Sequence, residues 1–348
     1  MSEQLRKLTK DRLVTVLDQL PRIRGRKMIV VGDSGLDEYV FGNVKRISPE
    51  APVPVVEVIS ENSTDYRLGL STNVAQNITS LGGECFLVSV VGRDETAQQL
   101  KSLLSQRHIS PEYLIEDATR PTTRKLRVMS GQHHLLRIDY ERQKFLSEDV
   151  EQQIVKMVKS LLPQADGVII QDYAKGVVSE SCVQEVIRIA KSKNLKVFVD
   201  PHRNTPVHYY RGSDLMTPNY DEAVGLSGLK FDELRKASDS LQEVGDILRK
   251  ATQSPTLVIT RGRDGMSLYE GGSHIQIPTF ARQVFDVAGA GDTVIATLSM
   301  SWASGLSLEE SCLLANAAAG VVVGKIGCVP CEIKELEDFL QRHISVIN

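Results

Sequence analysis

Aromatic side chains are scarce in this chain, 5% of 348 residues with a single tryptophan, and cysteine is scarcer still. The five thiols, Cys85, Cys182, Cys312, Cys328 and Cys331, are odd in number and scattered, which speaks against a disulfide framework and for reduced cysteines. Cys328-Val329-Pro330-Cys331 has redox or zinc spacing, but no second pair and no nearby histidine completes a metal site, so two incidental thiols near a loop are the plainer reading. Charge of one sign is also lacking. A net charge of -3 gives no global attraction to nucleic acid or to an anionic membrane. No apolar run reaches membrane-spanning length, and Met1 to Lys10 lacks the apolar core of a signal peptide, so a cytoplasmic protein is expected. Two familiar nucleotide signatures are missing as well. Gly320 to Gly324-Lys325 is one residue short of a P-loop and falls inside a predicted helix, and no Rossmann fingerprint occurs.

What is present is Asp286-Val287-Ala288-Gly289-Ala290-Gly291-Asp292-Thr293. It follows a β-like stretch ending at Phe285 and opens an apolar, small-residue helix predicted from about Gly291 to Trp302. A glycine-rich turn at a helix start leaves backbone N–H groups without helical partners. With the positive helix end, the amides of Gly289, Ala290 and Gly291 make a cradle for phosphate oxygens. A carboxylate beside bound phosphate is unfavourable, so Asp292 needs a chemical role to justify its place. Taking the proton of a hydroxyl that attacks the γ-phosphorus of a nucleotide would supply one. Capping the helix is the alternative.

Along the chain, Leu5, Leu8, Leu13, Val16, Leu17 and Leu20 recur at near-helical spacing, predicting an N-terminal helical extension over residues 1–25. The main domain, 26–348, starts with the buried strand Lys27–Gly32. From residue 147 strands and helices alternate regularly, with strands at Gly167–Gln171, Lys196–Asp200 and Thr256–Thr260, and a helix over Phe231–Ala251. The fold class is therefore α/β, a doubly wound, mostly parallel sheet. Two β-like excursions, about 38–68 and 120–141, interrupt the pattern and predict a small β lid over the ligand edge.

Charged residues collect where strands end, which is where open α/β sheets bind ligands. Asp33 and Asp37 follow the first strand. Asp172-Tyr173-Ala174-Lys175-Gly176 and Asp200-Pro201-His202-Arg203 follow later ones. Asn219 and Glu222 open a helix and read either as a capping box or as holders of Mg²⁺ through its waters. The lid cations Lys45, Arg46, Arg67, Arg124, Lys125, Arg127 and Arg137 are a solvated face or, gathered at one cleft, a site for a substrate that already carries a phosphate.

These stretches resemble the carbohydrate kinases of the ribokinase (PfkB) family. Asp286 to Asp292 resembles the family's C-terminal signature, and Asn219 to Glu222 its Asn-x-x-Glu motif. Within the family, Arg46 to Val55, Lys125-Leu126-Arg127-Val128, Asp172 to Gly176 and Asn316 to Lys325 resemble the heptose kinases that phosphorylate D-glycero-D-manno-heptose 7-phosphate at O1 during ADP-heptose synthesis. The resemblance implies a ribokinase-like fold, ATP and Mg²⁺ as cofactors, K⁺ as a further candidate, and a homodimer through the β lid, with no nucleic-acid or membrane partner. It implies Asp292 as base with Gly289, Ala290 and Gly291 as the anion hole. It puts Asp33, Asp37, Gly69, Asn73, Lys125, Arg127, Arg137, Asp172 and Lys175 near the sugar phosphate. Asn219, Thr260, Gly262, Gly265 and Asn316 would border the nucleotide, Asn219 and Glu222 would serve Mg²⁺, and Asp286 a monovalent cation. In bifunctional relatives a nucleotidyltransferase follows the kinase. With the chain ending at Asn348, that activity is expected from another protein.

The chain departs from the family pattern at four places. Leu70 replaces the second glycine of a Gly-Gly pair, Arg124 a threonine, His202 a lysine and Ala288 a threonine. Most fall at the sugar or phosphate end while Asp292 is kept, so a kinase for a different sugar, or a sugar-phosphate sensor, stands beside the heptose reading.

Overall fold

Lys27–Gly32 (β1) lies at the centre of the molecule because its apolar run is buried on both faces. Met28 and Val30 point into one core, Ile29 and Val31 into the other. The computed structural model describes residues 3–60, 63–131, 133–229, 240–281 and 284–346. Around β1 run Glu84–Val91 (β5), Leu114–Glu116 (β6), Gly167–Gln171 (β9), Lys196–Asp200 (β10), Leu215–Met216 (β11), Thr256–Thr260 (β12), Met266–Glu270 (β13) and Ser273–Ile277 (β14). The sheet order is β14-β13-β12-β11-β10-β9-β1-β5-β6. Only β13 and β14 run antiparallel to their neighbours. Strand order switches direction at β1, which pairs in parallel with β5 on one side and β9 on the other. At such a switch the carboxyl ends open into a crevice. Gln171, Asp200 and Thr260 all end strands on this edge.

Helices cover both faces. One core holds residues of the helices Ser71–Ser80, Ala290–Ala303, Leu308–Val322 and Ile333–Val346; the other holds residues of Glu148–Leu161, Glu180–Lys191, Tyr220–Ser227 and Ser240–Thr252. The N-terminal helix, Glu3–Gln19, belongs to the first core, with Leu13 and Val16 fully buried against it. The side chains of Leu5 and Leu8 lie outside the described residues, as does the start of the helix expected from Phe231. Two expectations are corrected. The chain enters Asp286 through irregular backbone, not a strand, since β14 ends at Ile277. The helix expected to Lys325 stops at Val322, and Lys325 reaches Glu335 at 2.6 Å instead.

The two β excursions meet in one five-stranded sheet. Ser34–Ile47 (β2) pairs with Pro54–Glu57 (β3) and Thr64–Leu70 (β4), and in parallel with Thr123–Ser130 (β7), which carries His133–Tyr140 (β8). Asp37 sits within β2, a few residues beyond the end of β1. The lid is rooted where β4 runs directly into the Ser71–Ser80 helix. Leu70, at that junction, has φ 58° and ψ −138°, a backbone conformation suited to glycine. Its side chain is 5% exposed and lies against Gly35 of β2. Flanking bonds hold the junction: Ser71 N donates to Asp33 O at 3.0 Å and Thr72 Oγ1 to Gly69 O at 2.6 Å.

Two opposing contributions therefore meet at Leu70, strain of about 1–3 kcal/mol and burial worth about 1.5–3 kcal/mol. Leu70→Ala keeps the strain and loses the burial, whereas Leu70→Gly loses both. In urea unfolding the glycine variant is expected to be the more stable of the two by about 1 kcal/mol, the reverse of the usual order. An alanine variant at least as stable as the glycine one would show that no strain is stored there.

Candidate active site

The Ala290–Ala303 helix begins directly after Gly289, whose φ of +77° is readily adopted only by glycine. A Cβ there would also fall 2.7 Å from the Asn73 amide. The turn brings Asp292 into the first helical turn with 4% exposure. Its Oδ2 accepts a hydrogen bond from Asn73 Nδ2 at 2.7 Å. Its Oδ1 accepts from the Tyr173 hydroxyl at 2.5 Å and from Gln171 Nε2 at 3.3 Å. Burial pushes the carboxyl up, the Tyr173 and Asn73 bonds and the nearby Lys125 pull it down, and the result is about 6. Asp292 is thus largely ionised at neutral pH, and among the described residues its carboxylate accepts from side chains and from no backbone N–H of the turn. The cradle differs from the expected one at Ala290, whose N already donates to Val287 O, while the Gly289 amide, like those of Gly291 and Asp292, has no acceptor among the described residues.

Beside the turn lies a cavity of about 180 Å³ lined by Asp200, Glu222, Gln171, Thr217, Gly291 and Asp292, among others. Asp200 accepts from Gln171 Nε2 at 2.7 Å and from Thr217 Oγ1 at 3.1 Å. Burial and the neighbouring Glu222 carboxylate push Asp200 well above the usual carboxylate range, and burial raises Glu222. Asn219 and Glu222 also form the capping box, each side chain accepting the other's backbone N–H at 2.9 Å. The capping-box reading of this motif is the one these bonds show. Gln171 Oε1 is buried without a hydrogen-bond partner. Raised carboxylates with an orphaned acceptor suit a hydrated divalent cation. Among the described residues no group of three His, Cys, Asp or Glu could hold a metal ion.

A second cavity of about 600 Å³ meets the first at Asn219, Thr260 and Gly291. Gly262, Gly265 and Asn316 line it, with Val287, Val294 and Ala319 giving an apolar wall. Asn316 Nδ2 donates to Pro278 O at 2.7 Å, which fixes the floor. A flat apolar slot opening onto an anion cradle matches a nucleotide.

On the other side of Asp292 stands the inner face of the lid. Arg127 pairs with Asp37 at 2.8 Å, both largely buried. Lys125 Nζ lies 5.7 Å from the Tyr173 ring centroid. A Cβ on Gly69 would come within 2.9 Å of the Asp37 carboxyl carbon, so glycine makes room for that carboxylate. Asp37, Gly69, Asn73, Lys125 and Arg127 are thus brought together. Five other expected residues have their side chains held by partners, although Asp172 also lines the smaller cavity. Asp33 accepts the amides of Tyr173, Lys175 and Val177 at 3.0–3.1 Å. Asp172 takes Thr205, Tyr210 and the Ala174 amide. Lys175 pairs with Glu141 at 2.7 Å, and Arg137, exposed on β8, with Asp139. Asp286 accepts from the Ala288 and Gly327 amides. Of the departures, Arg124 pairs with Glu38 on the lid's other face and His202 lines the smaller cavity. Sequence reasoning assigned no role to Gln171, Tyr173 or Cys328. The Cys328 thiol is buried beside Asp37 and Asp292, which push it up together with burial.

Comparison with known proteins agrees with this geometry. The chain is 41% identical over 311 residues to the bifunctional protein HldE of Trichlorobacter lovleyi, covering 88% of this chain and 62% of that protein. Other HldE proteins match at similar identity, and the chain spans 60–65% of their length. Among solved structures, ribokinase of Arabidopsis thaliana complexed with ribose and ATP superposes with a TM-score of 0.70 at 20% identity, over 91% of this chain and 99% of that one. Phosphofructokinase-2 of Escherichia coli in complex with substrates and products gives 0.74 at 19%, over 92% and 99%. Residues 40–335 match the model of the pfkB family carbohydrate kinases, and the chain belongs to that family.

Proposed function

We propose that this ATP-dependent sugar kinase phosphorylates D-glycero-D-manno-heptose 7-phosphate at O1, giving the 1,7-bisphosphate. The observation that carries the transfer chemistry is the buried, ionised Asp292 at a helix start, between the nucleotide slot and the lid. The heptose is supported by the HldE relatives and by Lys125 and Arg127 on the lid's inner face, which suit a sugar already bearing a phosphate. The acceptor hydroxyl gives its proton to Asp292 as its oxygen bonds to the γ-phosphorus. The bond from that phosphorus to the β–γ bridging oxygen breaks, and its electron pair leaves with ADP. The free amides at Gly291 and Asp292 face the charge that develops on the phosphoryl group. Asp200 and Glu222 would hold Mg²⁺ through water, and the cation's contribution is neutralisation of phosphate charge.

Asp292→Asn keeps the shape and removes the proton acceptor. The expected kcat falls by at least about 100-fold with ATP affinity by calorimetry nearly unchanged. Retention of more than about a tenth of wild-type kcat would rule out the base role. The sugar is read by kcat/KM for heptose 7-phosphate beside ribose, fructose and hexose phosphates, and preference for one of the others replaces the heptose assignment.

Glu222→Gln separates the two uses of that residue, because glutamine still serves a capping box. The Mg²⁺ concentration for half-maximal rate is expected to rise several-fold at unchanged melting temperature. An unmoved Mg²⁺ dependence assigns Glu222 to the cap alone.

The lid's outer strand exposes Leu136 and Ile138, 56% and 39% accessible, an apolar face suited to a second copy of this chain. Wild type is expected to sediment as a dimer and Leu136→Glu as a monomer. A monomeric wild type at micromolar concentration ends that reading.

A further inference from the structure

The loop after β9 is restrained far beyond what a connection needs. Asp33 gathers three of its amides, Arg120 donates to Lys175 O at 3.1 Å, and Asp172 anchors its start through Thr205 and Tyr210. The side chain this clamp delivers to Asp292 is Tyr173. A carboxylate offers about four lone-pair positions. Tyr173 and Gln171 occupy both on Oδ1, and Asn73 occupies one on Oδ2.

We propose that Tyr173 is the positioning residue of the base: its clamped hydroxyl closes Oδ1, so that the acceptor's proton can go only to Oδ2. The idea rests on Asp292 being the base. Tyr173 cannot itself take the proton, because burial and the Asp292 charge push its phenol well above its ordinary range, so it remains a donor. The Lys125 ammonium lies over the face of the same ring, 5.7 Å from its centroid. The other groups facing Asp292 are Asp37 on β2, Asp200 at the end of β10 and the Cys328 thiol. Among the described residues Oδ1 accepts only from Tyr173 and Gln171, so the hydroxyl has no substitute at that atom apart from the Gln171 amide.

Tyr173→Phe keeps the ring and removes the hydroxyl. A hydrogen bond to the charged form holds a carboxyl down, so its loss raises Asp292. The acid limb of the kcat–pH profile is expected to lie about one unit higher in the variant than in wild type. That shift lowers kcat about twofold at pH 7 and approaches about tenfold below pH 6, with the KM for ATP unchanged and the loss recovered by about pH 9. A merely structural role would lower kcat equally at every pH. An acid limb that stays in place overturns the proposal, whatever the size of the kcat loss. Asp292→Asn, assayed in parallel, keeps the two ideas apart. If it is inactive while Tyr173→Phe shows no shift, the base stands and the positioning role fails. If Asp292→Asn is active, the base reading fails first.

Discussion

Burying one carboxylate constrains the whole architecture. An ionised group moved from water into a protein interior loses several kcal/mol of hydration even after relaxation, and only well-placed donors recover it. Asp292 finds them on three separate parts of the chain: Asn73 on the helix that follows the lid, Gln171 at the end of β9, and Tyr173 on the loop beyond. The positive end of its own helix adds to them. The compensation is incomplete, which is why the carboxyl settles at about 6 and not at its ordinary acidity. A carboxylate that is ionised near neutrality yet still able to take a proton is the outcome of that incomplete balance. Lid root, central sheet and glycine turn must each be in place for it to exist.

Much of this could be read from the residues in order. The apolar strands, the alternation from residue 147 and the two β excursions are local patterns, and the strands appear close to where periodicity put them. The Gly289–Asp292 turn carried its chemistry in eight consecutive residues. Thr260, Gly262, Gly265 and Asn316, named through the family resemblance and not from any local pattern, do line one cavity. Other roles depended on partners far along the chain and left no local mark. Asp33 looked like a ligand at a strand end, but it serves amides more than a hundred residues away. Tyr173 lay within a stretch whose charged members stood out, while the uncharged hydroxyl reaches the base. Leu70 showed an unusual residue type, but its backbone conformation required the surrounding junction to be seen.

The lid separates chemistry from recognition. Its cations are not a free basic patch: Lys45, Arg67, Arg124, Arg127 and Arg137 each pair with a carboxylate. Most exposed pairs contribute little, but Arg127 and Asp37 are largely shielded from water and sit on the inner face with Lys125. The inner face of the lid thus presents a pre-arranged plus–minus pair in place of a diffuse positive field. That arrangement favours ligands with both hydroxyls and an anion, and it leaves the transfer machinery beyond Asp292 unchanged.

The clamp formed by Asp33 also bears on how the chain is made. Its three bonds span sequence separations of 140 to 144 residues, and β1 pairs with β9 over a similar distance. Contacts of that separation are slow to form because a long loop must close before they stabilise anything. During synthesis, one edge of β1 stays open until β9 has emerged, and an apolar strand with an open edge is prone to mispairing. Folding of the N-terminal third is thereby tied to the arrival of the loop that completes the active site. The same long-range contacts that complete the β1 edge also fix the loop carrying Tyr173.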